Sequence, residues 1–502
     1  MDWQHGYHAD GTYTCGFYRE LTPAWLDFAS LLRGHRSPRR HAAEPFRYLE
    51  LGSGMGLGLC LLAATYPEGQ FIGIDFHPDH ILHSRHLSEA LQLSNIQFIE
   101  NDFLRLSEDS SELCGQYHYV VAHGIAAWVA QPIRHALLKV AADSLIAGGL
   151  YYCSYNTLPG WLAACPLQQL AWLESRRRAS GTTSAAQAVH AAAATLQGLL
   201  GLAETPSALA MALPGLRERL GSLKEMDSSY LVQEYINEGW QPLTVQDFHD
   251  SAMAHKLRYT ASAALPDNFP GLLPVNIRDT VMAEADPLVR EVLQDLAINQ
   301  SFRRDIFSRG VDTLSSAENT ALLQAMHFCL QEAPEQESYP FTTSFGLVNG
   351  NSNLYRSVET ILADGPMSFA VLQDRLSLSI PDLAQVLSLL LHDGRVGIDR
   401  GEAGKAATSA CNSVNKTLSR LQLNGRPYNF RAAAPIGSAV PFSIAEALLE
   451  TAAENSGGSD HREALIKGLD ALGRTLVDTP EAVMEAYQQR RYRLQKLELG
   501  RS

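Results

Sequence analysis

Residues Tyr48–Gly58, YLELGSGMGLG, decide how this chain folds, because they join an apolar run, an acid and four glycines within eleven residues. The apolar run predicts a strand over 47–51, and the segment 57–65 after the glycines carries apolar residues at helical spacing. A strand that passes through glycines into a helix lets the backbone approach a bound group closely, with helix amide groups pointing at it. The stretch therefore predicts a βα unit with a ligand at its glycine loop.

The sequence on both sides of this loop alternates short apolar runs with helical segments, from Arg47 to about Tyr155. Such alternation is typical of βαβ units and a parallel sheet. We therefore predict a compact α/β domain of five strands. The further strands are expected over 70–74, 96–99, 117–122 and 149–155, and the further helices over 78–91 and 132–145.

The rest of the chain predicts helical and mixed modules. Residues 163–223 are rich in Ala and Leu and favour helices. Residues 354–399 give helix, turn, helix, helix and strand, an order that resembles a winged helix. Their five aspartates would face DNA phosphates unfavourably, so we interpret this part as a protein-interaction module. The predicted regions are an α/β domain with an N-terminal lid (1–165), a helical linker (166–225), a third domain (226–330), the winged-helix-like part (331–435) and a helical tail (436–502).

Composition excludes several classes of protein. The chain has 502 residues, and its 40 Lys and Arg against 54 Asp and Glu give a net charge of −14, which argues against non-specific nucleic-acid binding. Seven scattered cysteines contain no C-x-x-C pair, and His5, His8, His35 and His41 lack carboxylates at ligand spacing, so no disulfide framework or metal site is expected. No stretch is apolar enough for a signal peptide or a membrane span. We expect a cytoplasmic protein.

Polar side chains end the two strands after the glycine loop. Asp75 closes the next strand about 20 residues on, where a carboxylate can accept the ribose hydroxyls of an adenosine. Asn101 or Asp102 closes the third strand, where an adenine amino group can donate, and Phe76 and Phe103 supply apolar walls. These residues predict an adenosine site and leave nicotinamide, flavin and S-adenosylmethionine as alternatives.

Glu50 separates these cofactors. A carboxylate just ahead of the loop would repel a pyrophosphate, but it suits a ligand that carries an amino group and a sulfonium. Adenosine together with such a cation indicates S-adenosylmethionine, and the nicotinamide oxidoreductase alternative becomes the weakest.

The stretches LELGSGMG (49–56), GIDF (73–76) and ENDF (100–103) resemble the class I S-adenosylmethionine-dependent methyltransferases. A longer resemblance joins YTCGFYRELTP (13–23), AHGIAAWV (122–129), SYNTLPGW (154–161) and YLVQEYINEGWQPL (230–243) to bacterial methyltransferases that carry a methyltransferase regulatory domain, a group that includes the rickettsial protein lysine methyltransferases. The resemblance implies a Rossmann-like methyltransferase domain, and makes 226–330 the regulatory domain.

The resemblance also implies which residues bind the cofactor, and these lie at the glycine loop and the following strand ends. They are Glu50, Gly52, Ser53, Gly54, Gly56, Asp75, Phe76, Asn101, Asp102, Phe103, His123 and Gly124.

Five aromatic side chains, one of them a histidine, are the candidates for contact with the substrate. His123 and Trp128 follow the fourth strand, where the Asn-Pro-Pro-aromatic motif of the amide and adenine methylases is missing. Tyr155 ends the fifth predicted strand, Trp161 follows it, and Tyr18 is a candidate lid over the cofactor. Trp128 and Trp161 are at least equally well interpreted as core packing. His123 is equally well interpreted as a proton acceptor or as packing against the cofactor.

Methyl transfer needs alignment of the acceptor with the methyl carbon and no covalent enzyme nucleophile. Our first hypothesis is transfer to lysine side chains of a protein, with S-adenosylhomocysteine as the product. The alternatives are a small-molecule methyltransferase of a biosynthetic route, and a sensor or scaffold that binds S-adenosylmethionine without turnover. The alanine-rich helices are expected to pair two subunits.

Overall fold

The computed structural model describes residues 4–7, 14–109, 111–177, 182–201, 205–223, 226, 228–332, 337–455, 465–469 and 479–497. A seven-stranded sheet dominates it, with strand order β3-β2-β1-β4-β5-β7-β6. The first five strands in this order run parallel, and β7 runs antiparallel to both of its neighbours, β5 and β6. Its strands are β1 (Phe46–Leu51), β2 (Gly69–Asp75), β3 (Ile96–Glu100), β4 (Tyr117–Ala122), β5 (Leu145–Asn156), β6 (Leu257–Ser262) and β7 (Phe302–Arg309).

Helices precede, connect and follow these strands. They are α1 (Pro23–Leu32), α2 (Leu57–Thr65), α3 (Pro78–Ala90), α4 (Phe103–Glu108), α5 (Gln131–Ser144), α6 (Cys165–Ser175), α7 (Thr182–Leu200), α8 (Ala208–Ala212), α9 (Gly215–Ser222), α10 (Ser228–Tyr235), α11 (Val245–Ala254), α12 (Val275–Met282), α13 (Pro287–Ile298) and α14 (Ser316–Ala325).

The C-terminal part contains short strands and longer helices. The strands are β8 (His327–Leu330), β9 (Tyr339–Thr343), β10 (Gly346–Gly350), β11 (Met367–Ser368), β12 (Val396–Asp399), β13 (Phe430–Ala433) and β14 (Ser438–Pro441). The helices are α15 (Ser352–Ala363), α16 (Phe369–Leu376), α17 (Ile380–Asp393), α18 (Glu402–Leu423) and α19 (Ile444–Asn455), and a last helix spans Pro480–Lys496.

Both faces of the large sheet are buried. Alternate strand residues point to opposite faces, so Tyr48 and Tyr119 pack with α1, α2 and α3 on one face, while Leu49 and Val120 pack with α5 and α11 on the other. The first of these cores continues without a break into the C-terminal part, through α17 and α18.

Helix α2 shows how closely the C-terminal part is attached. Eight of its nine residues are buried, and its sequence LGLCLLAAT has no polar face. Arg400 donates to the carbonyl oxygen of Thr65 and places its guanidinium 3.9 Å from the centre of the Tyr66 ring, and Cys411 of α18 contacts the Ala64 carbonyl. The glycine-loop helix is therefore enclosed by both halves of the chain.

The predicted α/β fold is confirmed, and the predicted helix 57–65 matches α2. The five predicted strands lie in one sheet, but that sheet is larger than predicted because β6 and β7 come from the region 226–330. Helices α6 to α9 lie in the predicted helical linker, apart from the first residue of α6, and residues 178–181 of that linker are outside the described residues. The region boundaries themselves stay a prediction.

The winged-helix-like part also stays a prediction. Its helices and strands occur in the expected order, and β11 and β12 are edge strands of a three-stranded sheet. The central strand of that sheet is β8, which precedes the first helix. Residues 456–464, 470–478 and 498–502 of the predicted tail lie outside the described residues, as do 333–336 at the start of the winged-helix-like part.

The described helices include none that is both long and apolar enough to cross a bilayer. Leu173, Leu199 and Met211 are exposed on the alanine-rich helices, and pairing of two subunits through them stays a prediction that a molar mass in solution tests.

Candidate functional site

The glycine loop lies at the carboxyl end of β1. Gly52 and Gly56 have φ values of +77° and +73°, a left-handed backbone that favours glycine. A Cβ at Gly56 would lie 2.4 Å from Ser84 Oγ, so a larger residue is excluded on steric grounds as well. The Gly52 and Ser53 N–H groups both donate to the Ile74 carbonyl (2.7 and 3.0 Å). These contacts hold the loop against β2 and set the start of α2 beside it.

A cavity of about 750 Å³ lies on the β2 side of the loop; we call it the Asp75 cavity. Asp75 is buried, and its carboxylate accepts hydrogen bonds from the Gly54 N–H (2.9 Å) and the His77 N–H (2.9 Å). His80 Nδ1 lies 3.3 Å from the same carboxylate. Because a carboxylate has about four acceptor positions, the protein itself occupies most of those of Asp75.

Asp102 is held in a similar way. Its Oδ1 accepts from the Leu104 N–H (2.6 Å), which caps α4, and its Oδ2 lies 2.6 Å from His5 Nε2. Asp102 and Phe103 line the Asp75 cavity, as Phe76 does. Asn101 does not line it, because its side-chain oxygen accepts from the Asp102 N–H (2.8 Å).

A second cavity, of about 610 Å³, lies on the α2 side of the loop; we call it the Glu50 cavity. Burial, and then the negative charge of Asp75, raise the pKa of Glu50 to about 8. Ser53 Oγ is buried there and has no hydrogen-bond partner among the described residues. Among the described residues, no group donates to the side chain of Glu50 or Ser53 as the backbone donates to Asp75, so the charge of Glu50 is not compensated by this part of the protein.

Tyr18 and His123 form one wall of this second cavity. Their rings are in contact, with centroids 3.8 Å apart and a tilt of 31°, and Tyr18 is 39% exposed, which suits the predicted lid. His123 Nδ1 lies 2.9 Å from the Tyr152 hydroxyl and 3.1 Å from Ser154 Oγ. Burial lowers the pKa of His123 to about 3, so the imidazole is neutral and holds a transferred proton poorly. The geometry favours the packing role of His123 over the proton acceptor.

Gly52, Gly54 and His123 line both cavities, so the two meet at the glycine loop. Gly124 and Trp128 line the Asp75 cavity. Trp128 is mostly buried and is hydrogen-bonded to Glu234 of α10. It is thus fixed by the region 226–330 and lies on the adenosine side of the loop.

One predicted substrate-contacting residue, Tyr155, is a core residue, which corrects that prediction, and for Trp161 the structure favours the alternative of core packing. Tyr155 is 1% exposed, its hydroxyl donates to Asp305 (2.6 Å), and it does not line either cavity. Trp161 lies under the guanidinium of Arg219 (4.1 Å) within the helical cluster. Tyr155 faces away because alternate residues of β5 point to opposite sides of the sheet, and it lies where β7 pairs with β5, a strand that no local pattern near Tyr155 signals.

Sequence reasoning missed the N-terminal segment 4–7, whose Gln4, His5 and Tyr7 line the Asp75 cavity. Tyr7 meets the Phe76 ring edge-on at 5.5 Å. The Gly6 carbonyl accepts from the Glu238 N–H (3.0 Å), so the segment is anchored to 226–330. No local pattern signals these contacts, because they join positions far apart in the chain. His8 lies outside the described residues, and within those residues no group of His, Cys, Asp and Glu is suited to a metal ion.

The two cavities fit an adenosyl sulfonium. The orphaned Ser53 hydroxyl and the uncompensated Glu50 carboxylate suit a cationic amino-acid end, and the Asp75 cavity with Phe76 and Phe103 suits an adenosine. When bound, S-adenosylmethionine supplies a methyl group activated by its positively charged sulfur. Glu50 and Ser53 would hold one end of it, and Asp75 and Asp102 the other.

Comparison with known proteins agrees with this site. A family model described as "Methyltransferase domain" matches residues 44–170, and one described as "Predicted methyltransferase regulatory domain" matches residues 227–309. The uncharacterized protein sll1526 of Synechocystis sp. is 31% identical over 485 residues, which cover 95% of this chain and 93% of that protein. The uncharacterized protein RP789 of Rickettsia prowazekii is 26% identical over 289 residues, 57% of this chain and 49% of that protein.

Among solved structures, PKMT2 from Rickettsia typhi in complex with AdoHcy superposes with a TM-score of 0.68 at 18% identity, covering 97% of this chain and 99% of that one. This likeness shows a shared fold over nearly the whole chain. Fold and site define a class I methyltransferase.

The chain belongs to the S-adenosylmethionine-dependent methyltransferases that carry a methyltransferase regulatory domain, the family it shares with the Synechocystis protein. The predicted enzyme class and cofactor are confirmed.

Proposed function

We propose that this methyltransferase transfers methyl groups to lysine side chains of a protein. The observation that carries the proposal is a third cavity, of about 1020 Å³, which we call the Asp393 cavity. Phe17 and Tyr18 line both this cavity and the Glu50 cavity, so the Asp393 cavity adjoins the methyl-donor end of the site. The likeness of the fold to that of Rickettsia typhi PKMT2 is compatible with this acceptor class.

The lining of the Asp393 cavity suits a long side chain that ends in an amine. Trp25 and Phe430 supply aromatic surface, which stabilises a methylated ammonium by cation–π attraction. Glu20 and Asp393 add carboxylates, partly offset by Arg19. A lysine amine has a pKa of ~10.4 and must lose its proton before transfer. The two carboxylates favour its charged form, and burial against Trp25 and Phe430 opposes that form. Since His123 is a poor proton acceptor, we infer that desolvation prepares the amine and that its proton leaves to water.

The test is transfer from methyl-labelled S-adenosylmethionine to lysine-rich proteins. The matched control is the same protein with its lysines acetylated. We expect label in methyl-lysine after hydrolysis, and none with the acetylated protein. Label that persists on the acetylated protein would contradict a lysine acceptor.

The same assay separates the alternatives. Transfer to a metabolite extract but to no protein would favour the small-molecule methyltransferase. Cofactor binding without S-adenosylhomocysteine in any extract would favour the sensor or scaffold.

An Asp393→Asn variant tests the acceptor route. Because Asp393 is exposed, we expect a KM for the protein acceptor roughly twofold to fivefold higher, as for the loss of a solvent-exposed charge pair, with unchanged affinity for the cofactor. Asp374→Asn is the matched control, because Asp374 is exposed on α16 and does not line the cavity. Equal KM values in the two variants would place the acceptor elsewhere.

A further inference from the structure

A histidine of α3 links the glycine loop to the C-terminal part of the chain. His83 Nδ1 lies 2.8 Å from the carbonyl oxygen of Met55, the residue between Gly54 and Gly56. His83 Nε2 lies 2.8 Å from the hydroxyl of Tyr428, which sits between α18 and β13. One imidazole therefore contacts the loop through one nitrogen and a residue nearly 350 positions later through the other.

The chemistry of the partners fixes the direction of both hydrogen bonds. A carbonyl oxygen accepts only, so His83 Nδ1–H donates to Met55. Burial lowers the pKa of His83, which keeps the ring neutral. The Nε2 of a neutral ring protonated at Nδ1 is an acceptor, so the Tyr428 hydroxyl donates to it. The three residues therefore form one row of hydrogen bonds, in which Tyr428 donates to His83 and His83 donates to Met55.

Further contacts fix both ends of this row of hydrogen bonds. Tyr428 is 4% exposed, and its carbonyl accepts from the buried Arg431 guanidinium (3.1 Å). At the loop, the neighbouring Ser84 hydroxyl lies 3.2 Å from the Gly54 carbonyl. Met55 also lines the Glu50 cavity. A shift of Tyr428 would therefore be passed to the backbone that surrounds the methyl-donor site.

We propose that Tyr428 is a positioning residue for the cofactor: through His83 it orients the Met55 carbonyl and so holds the glycine loop in the conformation that binds S-adenosylmethionine. The C-terminal part of the chain then affects cofactor affinity, in addition to lining the Asp393 cavity. This inference rests on the cofactor class and is independent of the proposed lysine acceptor.

The test is Tyr428→Phe in the full chain, which keeps the ring and removes the donor. We expect a cofactor dissociation constant about threefold to tenfold higher by calorimetry, the range for one neutral hydrogen bond. We also expect a higher KM for the cofactor with little change in kcat. In the protein without cofactor, the loop amides at 52–57 should exchange hydrogen faster.

Tyr339→Phe is the matched control. It removes a buried hydroxyl of the C-terminal part that donates to Glu359 (2.7 Å) and has no contact with the loop. It should lower Tm while leaving cofactor affinity and loop exchange unchanged. If both tyrosine variants change cofactor affinity equally, Tyr428 has only a structural role and the proposal is wrong.

A double variant tests the route through His83. His83→Asn preserves a donor near Nδ1 for Met55 but cannot reach Tyr428. Adding Tyr428→Phe to it should therefore cause no further loss of affinity, since contacting residues in one network are not additive. Full additivity would show that Tyr428 acts by another route and would overturn the proposal.

Discussion

The Asp75 cavity and the Glu50 cavity share the glycine loop but treat their acids differently. Asp75 accepts two backbone N–H groups and faces His80, so the protein itself satisfies its charge. Glu50 receives no such donors from the part of the chain that the structure describes, and its pKa is raised to about 8. The difference indicates that one end is built to recognise neutral hydroxyls, while the other is left to be completed by a cation.

The largest expected effect is that of Glu50→Gln. Loss of a charge-assisted contact should raise the cofactor dissociation constant about 30-fold at pH 9, and by much less at pH 6, where Glu50 is protonated. Calorimetry at the two pH values measures this change in affinity.

Thermal unfolding provides the control for Glu50→Gln. The pKa of Glu50 in the folded protein lies above the ordinary 4.5, so ionised Glu50 lowers the stability of the fold as pH rises from 4.5 to 8. Hence Tm of the variant without cofactor should not fall at pH 8. Unchanged affinity at pH 9 would remove Glu50 from the site.

A second effect is the pH dependence of cofactor affinity in the unchanged protein. Because a cation binds the ionised carboxylate, affinity should rise roughly tenfold between pH 6.5 and 8 and level off above about pH 8. Glu50→Gln corrects for titration of the ligand itself. The same slope in that variant would show that another group is responsible.

Asp75→Asn should combine a smaller loss of affinity, about fivefold, with a lower Tm. An amide cannot accept from both the Gly54 and His77 N–H groups as the carboxylate does, so the loop itself is weakened. Calorimetry and thermal unfolding together separate this outcome from that of Glu50→Gln. If Asp75→Asn loses cofactor affinity without a lower Tm, Asp75 does not stabilise the loop, and the contrast drawn between Asp75 and Glu50 is wrong.

The smallest effect is expected for His5→Ala. It removes the contact with Asp102 in a segment that lines the Asp75 cavity, and a single partly exposed contact of this kind contributes little. We expect a dissociation constant about twofold higher, with Tm unchanged. His41→Ala serves as a control outside the cavities. A loss as large as that of Glu50→Gln would mean that the N-terminal segment dominates binding.

The sequence was sufficient for the parts of the site whose residues are close in the chain. The loop, α2 and the acid at the end of β2 follow from apolar periodicity and glycine spacing, and the structure agrees. Tyr155 could not be placed, because its surroundings depend on β7, about 150 residues later. Likewise, neither the segment 4–7 nor Tyr428 carries a local signal, since their roles arise only from packing.

Helix α2 has a consequence for how the protein is made. Its apolar surface is covered partly by α18, which begins 337 residues after the helix ends. At a synthesis rate of ~5–20 residues per second, this apolar surface stays exposed for roughly 20 to 70 seconds before α18 is synthesised. During that interval the nascent methyltransferase half carries an unfinished core, so we expect it to depend on chaperones more than a self-contained α/β domain does.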